Sequence, residues 1–106
     1  MKIVRNKILP LKGFSAINIF GMLFCKPNTK ISDRLINHES IHTVQMKEML
    51  YIPFYLWYAI EWLIKLFGEG NAYRNISFER EAYTNQDNLD YLKTRKHYSW
   101  IKRLFK

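Results

Sequence analysis

Apolar and polar positions change period along the chain. Ile17 and Ile19, then Met22 and Phe24, recur at a spacing of two on either side of Gly21. That period predicts one strand between Phe14 and Cys25, or a hairpin if Gly21 marks a turn or bulge. Lys26-Pro27-Asn28-Thr29 reads as a turn. Beyond it the period becomes helical: Leu35, His38, His42, Gln45 and Met49 fall on one stripe. Thr29 or Ser32 can cap this helix, Asp33 favours its first turn, and it runs over about 32–50. Ile52 stands before Pro53, which sets a boundary or kink. An aromatic apolar helix follows over about 53–67, ended by Gly68 and Gly70. Residues 71–76 read as a loop. Ser77 can cap a third helix over about 78–96, with Phe78, Ala82, Leu89 and Leu92 as its stripe. The segment 98–106 sets Trp100, Ile101, Leu104 and Phe105 against Lys102, Arg103 and Lys106, a short basic amphipathic helix. The expected fold class is therefore α+β and mostly helical. It is a single domain over 1–106, with one or two N-terminal strands and three or four helices.

Composition narrows the class. Apolar residues make up 48% of the chain and aromatic residues 16%, too much for a disordered segment. The single cysteine, Cys25, allows no internal disulfide and no thiolate zinc site. That fits a reducing compartment, so a cytoplasmic location is expected. A basic start followed by an apolar run also resembles a signal peptide, but Phe24 before Cys25 and the lack of an A-x-A-like site favour a strand of the mature protein. The net charge is +8; the first 30 residues and residues 93–106 each hold six Lys or Arg and no acid. Such a balance suits an anionic partner, a membrane surface or nucleic acid, although charge alone favours a plain solvated basic surface. No nucleic-acid motif accompanies it, which favours the membrane, at its surface or inserted in the inner membrane.

The stretch 49–67 bears on the same question. It carries seven aromatic rings and two charged residues, Glu61 and Lys65, spaced like a surface pair. A span needs about 20 apolar residues; Pro53 and Glu61 argue against one here. A helix buried in the chain's own core or against a second copy, or one lying in a membrane interface, suits the composition better.

The chemistry concentrates at His38-Glu39-Ser40-Ile41-His42, which reads H-E-x-x-H. Residues four apart lie one turn above each other on a helix, so the two imidazoles can hold one ion. Glu39, about 100° around the axis, stands beside such an ion and can take a proton from water there. A catalytic zinc takes three protein ligands. The third must come from elsewhere, and Phe78-Glu79-Arg80-Glu81-Ala82-Tyr83 is the candidate block. On a helical wheel Glu79 and Glu81 flank the apolar stripe at similar angles, so periodicity leaves both open.

These two motifs resemble the gluzincins, zinc peptidases whose third ligand is a glutamate on a later helix, often within E-x-x-A-D. Asn37, Gln45, Pro53-Phe54-Tyr55 and Tyr73-Arg74-Asn75 extend the likeness to small bacterial proteins of minimal gluzincin type, over about residues 17–92. The resemblance implies zinc bound by His38, His42 and Glu79, with Glu81 as the rival. It implies Glu39 as general base, a peptide or protein substrate, and a strand edge available to that substrate. It also implies that Ala82 lets the two helices approach closely. Tyr83 replaces the usual aspartate, which leaves Tyr83, Asn85, Asn37 or a carbonyl to orient His38. Relatives of this type add a Tyr or His donor to the oxyanion; Tyr83, Tyr73 and His97 are the candidates here. Three functions follow as expectations: a zinc metallopeptidase, a zinc-binding module without proteolysis, and a membrane-attached or self-associating interaction protein.

Overall fold

A computed structural model describes residues 2–8 and 16–104. Three strands, β1 (Lys2–Arg5), β2 (Ala16–Ile19) and β3 (Met22–Cys25), form a sheet of order β1-β3-β2. Five helices follow: α1 (Asp33–Glu48), α2 (Ile52–Lys65), α3 (Ala72–Asn75), α4 (Ser77–Asn85) and α5 (Tyr91–Thr94), then a 3-10 turn, Ser99–Arg103. The chain is thus α+β, with the helices dominant.

β2 and β3 are an antiparallel hairpin in which Ile17 faces Phe24 and Asn18 faces Leu23. Phe20 (φ 50°) and Gly21 (φ 89°) make the two-residue connection, both left-handed, as a tight hairpin of right-twisted strands requires. Ile17, Ile19, Met22 and Phe24 do share a face, but it is the outer one. Asn18, Leu23 and Cys25 turn inward and are buried. Asn18 replaces an apolar residue there because its amide bonds the Glu39 carbonyl (2.8 Å) and the Thr43 hydroxyl (3.1 Å), tying the hairpin to α1. β1 pairs in parallel with β3; its short basic sequence gave no strand signal. Residues 9–15 and 105–106, part of two expected segments, lie outside the described residues.

Ser32 caps α1 by accepting the Leu35 N–H (3.1 Å). The helix ends in a Schellman arrangement: Tyr51 N–H bonds the Met46 carbonyl and Leu50 N–H the Lys47 carbonyl. Leu50 occupies the left-handed position (φ 57°) that glycine usually takes. Pro53 does not kink a helix; it sits in the first turn of α2, where a missing N–H costs nothing.

Four expectations are corrected here. Residues 72–75 are a helical turn, capped by Asn71, rather than loop. Ser77 is the first residue of α4 and not its cap. Glu61 of α2 caps α4 instead, accepting the Ser77 N–H (3.0 Å) and a short bond from the Ser77 hydroxyl. Glu61 is therefore buried, 5% exposed, and is no surface partner of Lys65. The third helix stops at Asn85 rather than near 96. Asn37 of α1 gathers the carbonyls of Asn85, Gln86 and Asn88 on one amide (2.8–3.2 Å), and the chain reverses around it. The reversal carries Arg95 back between Glu48 and Glu81. There the guanidinium bonds Glu48 in two places (2.9 and 3.0 Å) and Glu81 in two more, all three side chains at most 5% exposed.

The core lies between α1, α2, α4 and the 3-10 turn: Met46, Phe54, Ile76, Phe78 and Trp100, with Met49, Tyr58 and Leu104 against them. The C-terminal segment thus docks Trp100 into the domain (4.7 Å between its ring and Phe78) in a 3-10 turn, while Ile101 stays exposed. No helix among the described residues is long and apolar enough to cross a membrane.

Candidate metal centre

His38 and His42 project from successive turns of α1 towards α4, where Glu79 stands in the first turn. Ala82, one turn later, is fully buried and leaves no side-chain bulk where α4 faces α1. The His38 and His42 Nε2 atoms lie 3.2 Å apart. Oε1 of Glu79 lies 3.2 Å from the first and 2.9 Å from the second. These donors fall within 4.8 Å of one another and all three residues are buried. Ligands about 2.0–2.1 Å from a tetrahedral zinc stand about 3.3 Å apart. The triangle is the size of one such ion.

The far side of each ring fixes which nitrogen is free. Oε1 of Gln86 lies 2.8 Å from His38 Nδ1, and Oε1 of Gln45 lies 2.8 Å from His42 Nδ1. An amide oxygen only accepts, so each Nδ1 carries a proton and each Nε2 is the nitrogen left to face Glu79, as a lone pair for an ion or as an N–H where the ring takes a second proton. Gln45 has no freedom to turn round: its NH2 donates to the Glu81 carboxylate (3.0 Å) and to the Phe78 carbonyl (3.1 Å), both acceptors. Two lone pairs and a carboxylate oxygen converging at hydrogen-bond distance repel unless a cation or proton joins them. The donor set fits zinc by this test.

The charges answer accordingly. Burial alone would depress His42; the adjacent Glu79 carboxylate outweighs it and raises the imidazole to about 9. Burial would raise Glu79. His42 and the bonds from His38, His42 and Tyr58 reverse that and hold it well below the usual carboxylate range. Tyr58 donates to Glu79 Oε2 at 2.6 Å. Burial and the neighbouring carboxylate push Tyr58 and Tyr73 far above an ordinary phenol, so both remain protonated donors.

No known protein family, curated protein or solved structure matches this chain. Its function must be read from the centre itself.

Glu39 lies beside the triangle, its Oε2 3.9 Å from His38 Nε2. Burial raises its pKa against the opposing pull of His42 and His38. It opens onto a cavity of about 340 Å³ shared by Ala16, Ile17, Met46, Phe54, Tyr55 and Tyr73, with His42 and Glu79 at one end. β2, the edge strand of the sheet, forms one wall.

The other candidates fall elsewhere. Glu81 faces away from the triangle, held by Arg95, Tyr91 (2.6 Å) and Gln45. His97 lies on Glu48 with its side chain 88% exposed. Tyr83 packs edge-on against His38 (4.6 Å) beneath the Arg74 guanidinium, and Tyr73 lines the cavity. Asn37 and Asn85 hold the chain reversal rather than the imidazole. Gln86 and Tyr58 escaped the sequence reading. Gln86 lies past a helix end that periodicity did not reveal. Tyr58 follows Phe54 by four residues on the inward side of α2, a signal masked by the rings around it.

Proposed function

We propose that this chain is a zinc-dependent metallopeptidase of minimal zincin type, acting on peptide or protein substrates. The observation that carries the reading is the convergence of His38, His42 and Glu79 with Glu39 beside them at the end of an open cavity. His38 and His42 would hold the ion through Nε2, and Glu79 through Oε1. A zinc ion there supplies Lewis acidity and lowers the pKa of a bound water towards about 7.

The protein groups divide the rest of the work. Gln86 and Gln45 keep the rings in the binding tautomer. Tyr58 orients Glu79 and leaves one of its oxygens for the ion. Glu39 accepts the proton of the attacking water and later returns it to the leaving amine. The apolar walls admit a side chain of the substrate, and the free edge of β2 offers backbone groups to an extended chain. Tyr73 is a protonated phenol on the cavity wall that can donate to a developing oxyanion.

Two measurements test this. Elemental analysis of the purified chain gives about one zinc per molecule, lost in His42→Ala. Glu39→Gln retains the zinc and loses about 10²–10⁴-fold of the cleavage rate on a peptide library. Absence of stoichiometric zinc after supply would overturn the reading. Zinc without cleavage in the native chain would leave a metal-binding module.

A further inference from the structure

α2 is turned inside out. Its two charged residues, Glu61 and Lys65, face the protein with Phe54 and Tyr58. Glu61 caps α4, and Lys65 reaches the Leu104 carbonyl (3.3 Å). The apolar residues face out. Ile52, Leu56, Trp57, Ile60, Trp62, Leu63 and Ile64 are 38–62% exposed, and Leu66 and Phe67 continue the surface at 50% and 92%. Together they present on the order of 800 Å², beyond the roughly 300–600 Å² of the largest apolar patch on a typical monomer.

The shape of this surface identifies what covers it. At about 100° per residue the exposed positions of α2 span roughly 220° of arc. A packed helix needs an apolar stripe of about 100°. A rigid second copy would leave the flanks of such an arc wet; a fluid apolar phase covers all of it. Trp62 stands at one edge of the arc, where a ring with an apolar body and a polar N–H suits a membrane–water boundary; Trp57 stands at the other edge with its N–H turned in to Glu61 (2.9 Å). Fourteen residues give about 21 Å of helix, short of the roughly 30 Å hydrocarbon core, so the helix lies along a bilayer rather than through it.

Charge selects the lipid. Residues 49–68 contain one acid, the buried Glu61. The 3-10 turn packed beside α2, Trp100 on Trp57 at 5.9 Å, adds exposed Ile101 and Lys102 and belongs to the acid-free stretch 91–106. We propose that α2 and the adjoining 3-10 turn seat the protein on the surface of an anionic lipid bilayer.

Flotation of the full chain with vesicles tests this. The chain floats with phosphatidylglycerol–phosphatidylethanolamine vesicles, with a blue shift of tryptophan emission, and floats at least tenfold less with phosphatidylcholine. Leu63→Glu combined with Phe67→Glu, both solvent-facing and checked for folding by near-UV circular dichroism, reduces partition about 100-fold. Lys102→Glu reduces it on the order of tenfold, from about 1 kcal/mol per basic residue near the surface. Equal binding to both lipids, or undiminished binding of the double variant, overturns the proposal. So does a chain that ignores vesicles, or one that forms a dimer which the double variant dissociates.

Discussion

Replacing Arg95 by methionine removes a guanidinium that lies between two buried carboxylates and keeps most of its length. Four charge-assisted hydrogen bonds disappear, two to Glu48 and two to Glu81. Neither acid can reach water: Glu48 is 5% exposed and Glu81 not at all. Glu81 keeps Tyr91 and Gln45, and Glu48 keeps the Tyr98 N–H at 2.7 Å. Removing one partner of a buried pair costs about 3–5 kcal/mol. The surviving donors place the expected loss near 4 kcal/mol, a large share of the roughly 5–15 kcal/mol of a small domain. In melting temperature that is about 15–30 °C.

The pH dependence gives the sign. Burial would raise Glu81, yet Arg95, Tyr91 and Gln45 hold it below its ordinary value of 4.5. Its contribution is thus fully present above about pH 4.5 and is lost as pH falls through the folded-state value. In Arg95→Met the main group that lowers Glu81 is gone and its folded-state value rises, so the variant forfeits that contribution at neutral pH. The gap between the two proteins is widest near pH 7 and narrows towards pH 4.5. Urea denaturation at fixed metal concentration measures it, and Glu81→Gln in the Arg95→Met background recovers part of the loss. A deficit under about 1 kcal/mol at pH 7, or one unchanged at pH 4.5, would refute the reasoning.

Other outcomes follow from local geometry. Leu50→Gly relieves a left-handed residue whose side chain is 78% exposed, and raises stability by about 0.5–1 kcal/mol in urea titrations. Gly21→Ala does the reverse: its new methyl would stand 3.2 Å from Thr43 Cγ2 at φ +89°, at a loss of about 1–2 kcal/mol by the same assay. Gln86→Ala frees His38 Nδ1 and weakens zinc binding about 10–100-fold in competition with a chromophoric chelator, with α1 still helical by circular dichroism.

Much of this fold was legible because its signals are local. Period two around Gly21 marked a strand or hairpin, Thr29 or Ser32 marked the start of α1, and Pro53 marked a boundary whose sense, a start rather than a kink, only packing decided. What stayed hidden depends on partners distant in sequence. Glu61 looked like half of a surface pair because nothing local says that it must cap Ser77, sixteen residues on. Glu79 and Glu81 were indistinguishable on a wheel. Arg95, drawn inward by the break at Asn85, takes Glu81 to one side of α4 and leaves Glu79 facing the histidines. The inward turn of Asn18 was equally unreadable, since its partners are on α1.

Gln45 makes the candidate centre larger than its three donors. Its amide points its oxygen at His42 because its NH2 is held by the Glu81 carboxylate and the Phe78 carbonyl, and Arg95, with Tyr91, helps to keep that carboxylate anionic. A cation on one side of α4 therefore helps to set which ring nitrogen is bare on the other. The smallest transplantable unit is accordingly not three residues on two helices. An engineer who grafts His38, His42 and Glu79 into another scaffold without Gln45, Glu81 and Arg95 would copy the positions and lose the proton pattern that makes them donors.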